Sequence, residues 1–498
     1  MASLDQADRQ IDPRASLPLC SPENRKYLLA AAILASALGF IDGSIVAIAL
    51  PAMRMSLGAT LVEAQWVSNA YMLTLSSLLL VGGAAGDRFG LARVFGGGIA
   101  LFIVASMACA FAPNADVLIT ARALQGLAAA FMVPGSLALI SRAYPAHERP
   151  RAIGIWAASA AVTSALGPII GGVALTAGGP EVWRWIFAVN LPLGLLALTF
   201  LYTTVKQDPA QPERGLDLPG AVAATVGLGL FAWALSAAEH GAVLDQDSIL
   251  LGMSGLAVLG LFIWIEAHSP HPMVPLSLFK NRGFSAANIV AFGVYFAFAA
   301  ILMYLPMAVI GGWGVSEIAA SAAYAPLSVF IAGLSGLSGK LAGKYGPTPL
   351  MVIGTLVLSI GYATLALVFP SQNFWGAVLP AMCLQGIGMG LVVAPLSSAV
   401  MGSVAPHATG TASGVNNAVT RMASLIAVAA MGSVIATVYG VADGPTSYGL
   451  TMDDPGHAAA TNAAFIRVAW IASGVCLLAA TVAAAAGRIA PAKPDAVT

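Results

Sequence analysis

Polar residues are sparse along this chain, and their positions divide it into fourteen apolar stretches. These cover residues 27–50, 66–83, 94–112, 117–140, 152–175, 185–205, 218–238, 248–265, 284–310, 319–341, 349–369, 374–400, 410–438 and 463–486. Each is close to the roughly 20 residues that an α-helix needs to cross a bilayer. Charged or Pro/Gly-rich breaks separate them. The pattern predicts an all-α membrane protein of fourteen transmembrane helices, numbered here 1 to 14 in chain order. The positions of Lys and Arg orient the set. With the N-terminus cytoplasmic, 17 of the 22 fall on the inside, three (Arg54, Arg184 and Arg467) outside, and two (Arg122 and Arg421) within helices. Cytoplasmic loops carry such an excess, so both termini are expected inside.

Composition narrows the function. Of the 498 residues 58% are hydrophobic and 9% charged, against about 25% charged in soluble domains. A soluble enzyme, a disordered scaffold and a secreted disulfide module are excluded. Twenty-two basic and 22 acidic residues balance, which removes the argument for a nucleic-acid partner. The four cysteines have no metal or redox spacing, and the histidines fall in loops or at helix ends, so no metal site is expected. No phosphate-binding Gly-rich loop with its Lys occurs. The expected energy source is therefore an ion gradient, which supplies about 2.3 kcal/mol per charge at 100 mV. The first 26 residues are polar and hold three prolines, unlike a cleavable signal peptide.

The chain repeats itself. Residues 123–136 read ALQGLAAAFMVPGS and 383–397 read CLQGIGMGLVVAPLS; GAAGDRFG at 83–90 pairs with GKLAGKYG at 339–346, and Leu50-Pro51 with Leu305-Pro306. Offsets of 255 to 261 map helices 1–6 onto 9–14 as parallel repeats. The expected organisation is a cytoplasmic tail (1–26), an N-terminal six-helix half (27–206), a linker with two inserted helices (207–275), a C-terminal six-helix half (276–488) and a second tail (489–498).

One acid lies well inside an apolar stretch. Asp42 on helix 1 costs about 2.5–3.5 kcal/mol to place there, so it marks function by default. It is read as the proton-coupling group, with a structural carboxylate as the alternative. Arg122 on helix 4 lies at a depth within about 4 Å of it, which predicts a direct or water-bridged pair. In the repeat Arg122 aligns with Met382, Asp87 with Gly343 and Asp42 with about Ala297. Proton coupling is therefore expected in the N-terminal half. Gly167, Pro168, Gly171 and Gly172 give helix 5 a bare, pliable face.

These motifs resemble the major facilitator superfamily, and more closely its fourteen-helix drug:proton antiporter branch (EmrB/QacA type). The residues are IDGSIVAIALPAM (41–53), GAAGDRFGLARVF (83–95), RALQG (122–126), GPIIGG (167–172) and WRWIFAVNLPLG (183–194). Leu91 and Ala92 stand where that family usually has two basic residues. The resemblance implies a proton-transfer role for Arg122. It also implies a conformational latch of Gly83, Asp87, Arg88, Gly90 and Arg93 that meets helix 13 near Gly410. It associates the helix 5 Gly-Pro pattern with exporters.

The resulting expectation is a proton-coupled exporter of amphipathic or lipophilic small molecules, working by alternating access in the bacterial inner membrane. A dedicated exporter of one metabolite or antibiotic is the main alternative, and a non-transporting receptor a weaker one. No cofactor beyond the proton gradient and no enzymatic activity are expected. A monomer is expected to suffice, with a periplasmic adaptor left open. Substrate-lining candidates are Tyr71, Phe131, Trp156, Tyr295, Phe298, Met382, Met389, Asn416 and Asn417. With no second buried acid, monovalent lipophilic or neutral substrates are expected over divalent cations.

Overall fold

The computed structural model describes residues 19–145, 147–206, 208, 215–236, 246–405, 408–452 and 454–488. The two expected tails thus lie largely outside the described residues. Among the described residues fourteen helices are long and apolar enough to cross a membrane. They are α1 (Pro22–Leu57), α2 (Leu61–Phe89), α3 (Leu91–Ala110), α4 (Ala115–Ala143), α5 (Arg151–Gly178), α6 (Pro180–Thr204), α7 (Leu218–Ser236) and α8 (Gln246–His268). The remainder are α9 (Arg282–Gly312), α10 (Glu317–Tyr345), α11 (Pro347–Ser371), α12 (Phe374–Gly402), α13 (Thr409–Val441) and α14 (Pro455–Gly487). Among the described residues there is no strand.

Several helices begin earlier than the apolar pattern indicated, because polar caps belong to them. α2 starts five residues before Trp66: Thr60 Oγ1 accepts from the Glu63 amide and the Glu63 carboxylate accepts from the Thr60 amide, a capping box. α14 starts at Pro455, where Asp454 Oδ1 accepts from the His457 amide. α1 runs on past Pro51 to Leu57 and stops at Gly58, whose φ of 62° suits a residue without a side chain.

The repeat seen in the sequence recurs as packing. α2 and α3 lie on α4 as α10 and α11 lie on α12. Bare backbone makes the closest crossings possible: a Cβ on Gly82 would overlap the Ala130 carbonyl, and one on Gly126 the Tyr71 carbonyl. α7 spans the seam between α2 and α13, with Thr225 Oγ1 donating to Ser77 and Ser433 donating to the Leu235 carbonyl. Trp66 and Trp233 meet there at 5.0 Å.

The face where α1 begins is termed the terminal face, and its opposite the far face. The halves join at the far face. The buried Arg54 at the end of α1 donates to the Tyr448 carbonyl and, at 3.1 Å, to Ser447 Oγ in the α13–α14 loop. Thr176 Oγ1 on α5 donates to Glu317 on α10 at 3.2 Å and accepts from the Ile318 amide at 3.1 Å. A Cβ on Gly154, Gly333, Gly336 or Gly343 would meet no atom within 4 Å. Leu19 and Cys20, read as tail, are buried, and the Leu19 carbonyl accepts from the Lys206 amide. Desolvation there pushes the Cys20 thiol above its ordinary pKa.

Candidate functional site

The deepest polar residues of the N-terminal helices meet in one buried network. Arg122 and Gln125 stand one turn apart on α4 and so share a face. Arg122 Nη1 donates to Asp42 Oδ2 and to Gln125 Oε1, each at 2.5 Å. Gln125 Nε2 donates to Asp42 Oδ1 at 3.0 Å and to Ser106 Oγ on α3 at 2.8 Å. Asn190 Nδ2 on α6 donates to the same hydroxyl at 3.1 Å. Arg122 Nε donates to the Val67 carbonyl on α2 at 3.0 Å. Its guanidinium lies 4.3 Å above the Tyr71 ring and 5.7 Å from that of Phe187.

Asp42 is 1% exposed, Arg122 2% and Gln125 0%. Water therefore cannot complete their hydrogen bonds, and protein groups must. A buried ion pair holds only when its remaining donors and acceptors are also met. Here Gln125 bridges anion and cation, its oxygen toward Arg122 and its nitrogen toward Asp42. Ser106 accepts from two amide nitrogens and so fixes which way that amide faces. The expected Asp42–Arg122 contact is direct. Gln125 was visible only as part of a motif, and Ser106 and Asn190 as lone polar residues in apolar surroundings, the signal that would have picked them out.

The other candidates fall in separate places. Tyr71 forms the ring under Arg122. Tyr295 and Phe298 on α9 form an edge-to-face pair at 6.4 Å. Trp156 Nε1 on α5 donates to Ser36 Oγ at 2.9 Å, and Ser36 donates in turn to Ser136. Phe131 packs at the crossing of α4 with Gly98 of α3. Asn416 Nδ2 donates to Asn288 Oδ1, while the exposed Asn417 bonds its own helix at Ser413. Met382 and Met389 are 0% and 2% exposed. They belong to the packed core of the C-terminal half, not to a cavity wall.

The α5 glycines have partners that require them. A Cβ on Gly167 would overlap Ser44 Oγ, and one on Gly171 would sit 2.5 Å from Ile45, so both let α5 lie on α1. A Cβ on Gly172 would stand 2.7 Å from the Glu317 carbonyl across the junction with α10. Pro168 lies within α5. In the α2–α3 turn Gly90 has a φ of 104°. There Asp208 Oδ2 accepts from the Arg93 amide at 2.9 Å, placing a carboxylate on the start of α3. Gly83, Asp87 and Arg88 close α2 beside this turn, and the Arg93 side chain is exposed.

One charged residue carried no role in the sequence reading. Arg421 stands midway along α13, half-buried, close enough to Tyr71 and Tyr295 for its charge to act on both hydroxyls.

The family model described as Major Facilitator Superfamily matches residues 32–429. The multidrug resistance protein Stp of Mycobacterium tuberculosis is 32% identical over 418 residues, covering 83% of this chain and 76% of that protein. The puromycin resistance protein pur8 of Streptomyces alboniger is 32% identical over 482 residues, 95% of this chain and 93% of that protein. Among solved structures, a bacterial homolog of the human lysosomal transporter Spinster, inward-facing and unoccupied, shares the fold. Its TM-score is 0.69 at 17% identity, over 94% of this chain and 98% of that one.

Proposed function

The chain belongs to the Major Facilitator Superfamily, and from that premise we propose that it exports amphipathic small molecules in exchange for protons. It is a multi-pass membrane transporter and not an enzyme. Relatives named for multidrug and puromycin resistance support the direction of transport. In this reading it sits in the cytoplasmic membrane with the terminal face inside. The links of Arg54 to the α13–α14 loop and of Thr176 to α10 then close the outer side. The halves at 27–206 and 276–488 rock about the substrate, and the inserted pair within 207–275 covers one seam. A monomer holds the whole pathway.

The observation that carries the reading is the buried Asp42–Arg122–Gln125 network. With Asp42 ionised every partner is satisfied. A proton on Asp42 cancels its charge and leaves Arg122 as an uncompensated cation in a medium of low dielectric, which costs several kcal/mol. The protonated carboxyl must also donate, yet both groups facing it are donors. The network therefore cannot hold a proton without rearranging, and that rearrangement of α1 against α4 couples proton uptake to the opposite opening. The turn with Gly83, Asp87, Arg88, Gly90 and Arg93 acts as the latch between states.

The test uses purified protein in liposomes with an internal pH dye and an imposed proton gradient. Wild type is expected to move protons when substrate is added, and Asp42→Asn to fall to the level of empty liposomes while still binding substrate. Undiminished substrate-driven proton movement in Asp42→Asn would overturn the reading.

A further inference from the structure

Arg54 at the far face, Arg122 and Arg421 are cations drawn into the joined halves. Arg54 is held by the carbonyl of Tyr448 and by Ser447, and the charge of Arg122 is met by Asp42. Arg421 differs. Its buried Nε has no hydrogen-bond partner, and no ion pair reaches it among the described residues. Asp42 is the one described carboxylate at this depth, and it is already paired. The centre of the bundle, between α2, α9 and α13, therefore carries one uncancelled positive charge.

We propose that Arg421 is the anchor for an acidic group on the substrate, so that the transported molecules are amphipathic organic anions bearing a carboxylate or an enolate. Three features converge on this. A guanidinium offers donors in a planar fork that matches a carboxylate bidentately, and it cannot discharge by losing its proton. Its Nε is buried among protein atoms, and an opposite charge gains most where the medium is less polar than water. The neighbouring groups suit the remainder of such a molecule. Tyr295 and Phe298 present edge-to-face rings, and Asn417 lies one turn before Arg421 on the same helix face with an exposed amide. Such a site favours acids over the lipophilic cations that the scarcity of buried acids allowed. A cation there would meet like charge, which costs affinity in proportion to its burial.

The proposal rests on the export reading for its physiological meaning, but its test does not. Binding to the purified full-length protein in detergent is measured by quenching of tryptophan fluorescence. Three probes share one ring system: a naphthyl carboxylate, its methyl ester and a naphthylmethyl trimethylammonium ion. The carboxylate is expected to bind at least about tenfold more tightly than either of the others, a ratio of about 1.4 kcal/mol. Arg421→Gln is expected to bring it down to the ester's affinity, while Arg421→Lys keeps part of the preference. Thermal unfolding of each variant checks that it is folded, and the Lys variant serves if the Gln variant is not. Equal or absent preference for the carboxylate in wild type, or a preference unchanged by Arg421→Gln, overturns the assignment. Carboxylate binding through Arg421 without proton exchange in liposomes would sink the export reading alone. Proton-coupled movement of the ammonium probe but not the carboxylate would sink this inference alone.

Discussion

At the scale of single residues, the informative signal is a polar side chain where lipid or packed helix should be. Asp42 and Arg122 stood out because charge inside an apolar stretch is costly, and their depths along α1 and α4 placed them together. Gln125 is as deeply buried and does as much: it holds both members of the pair through opposite ends of one amide. Its contribution could not be read beforehand, because an amide carries no charge to betray it. Gln125→Glu sets a second carboxylate against Asp42. Like charges favour protonation of one of them, so the pH at which transport is half-maximal is expected to rise, by about one unit for a partly compensated pair. Proton-driven uptake into inverted vesicles across a range of pH measures it. A profile that stays in place would show that Gln125 does not touch the coupling group in the working protein.

At the scale of helices, apolar runs mark where chain meets lipid but not where a helix starts. The capping box of Thr60 and Glu63 and the cap at Asp454 extend α2 and α14 beyond their apolar cores, because backbone donors need partners whether or not the residues around them are apolar. Glycine placement, in contrast, was legible as a bare face on α5, although its two partners were not. Gly167 and Gly171 serve α1 within the same half, whereas Gly172 serves α10 across the junction. Gly172→Leu is therefore expected to pry the far face open, while a helix merely weakened throughout would not respond so locally. With Thr176→Cys as reporter, maleimide labelling from the far side should quicken in the Gly172→Leu background by roughly tenfold, as about 1.4 kcal/mol of lost closure would give. An unchanged rate would mean that the α5–α10 contact does not hold the closed state.

At the scale of the whole molecule, the far face closes through a strap. Arg54 reaches from α1 into the α13–α14 loop, and the Tyr448 hydroxyl in that loop donates to the Tyr304 carbonyl on α9 while Tyr304 donates to Val428 on α13. Burial raises the Tyr448 phenol well above its usual pKa, so that hydroxyl keeps the proton it donates to Tyr304. Arg54→Ala removes the hydrogen bonds that tie α1 to this loop. Amide exchange in residues 442–452 is then expected to speed up by about tenfold, with α13 itself little changed. Equal protection in both proteins would place the closing energy elsewhere.

Helix number and the Asp42–Arg122 contact follow from the sequence by itself, since each rests on the cost of putting polar groups into lipid, which is met residue by residue. The tertiary structure alone decided which polar groups are satisfied. It gave Arg122 a carboxylate and left Arg421 without one, though both are single arginines in apolar helices. That difference depends on what the neighbouring helices present at the same depth. Sequence spacing fixes depth along one helix, but only packing fixes which faces turn toward each other.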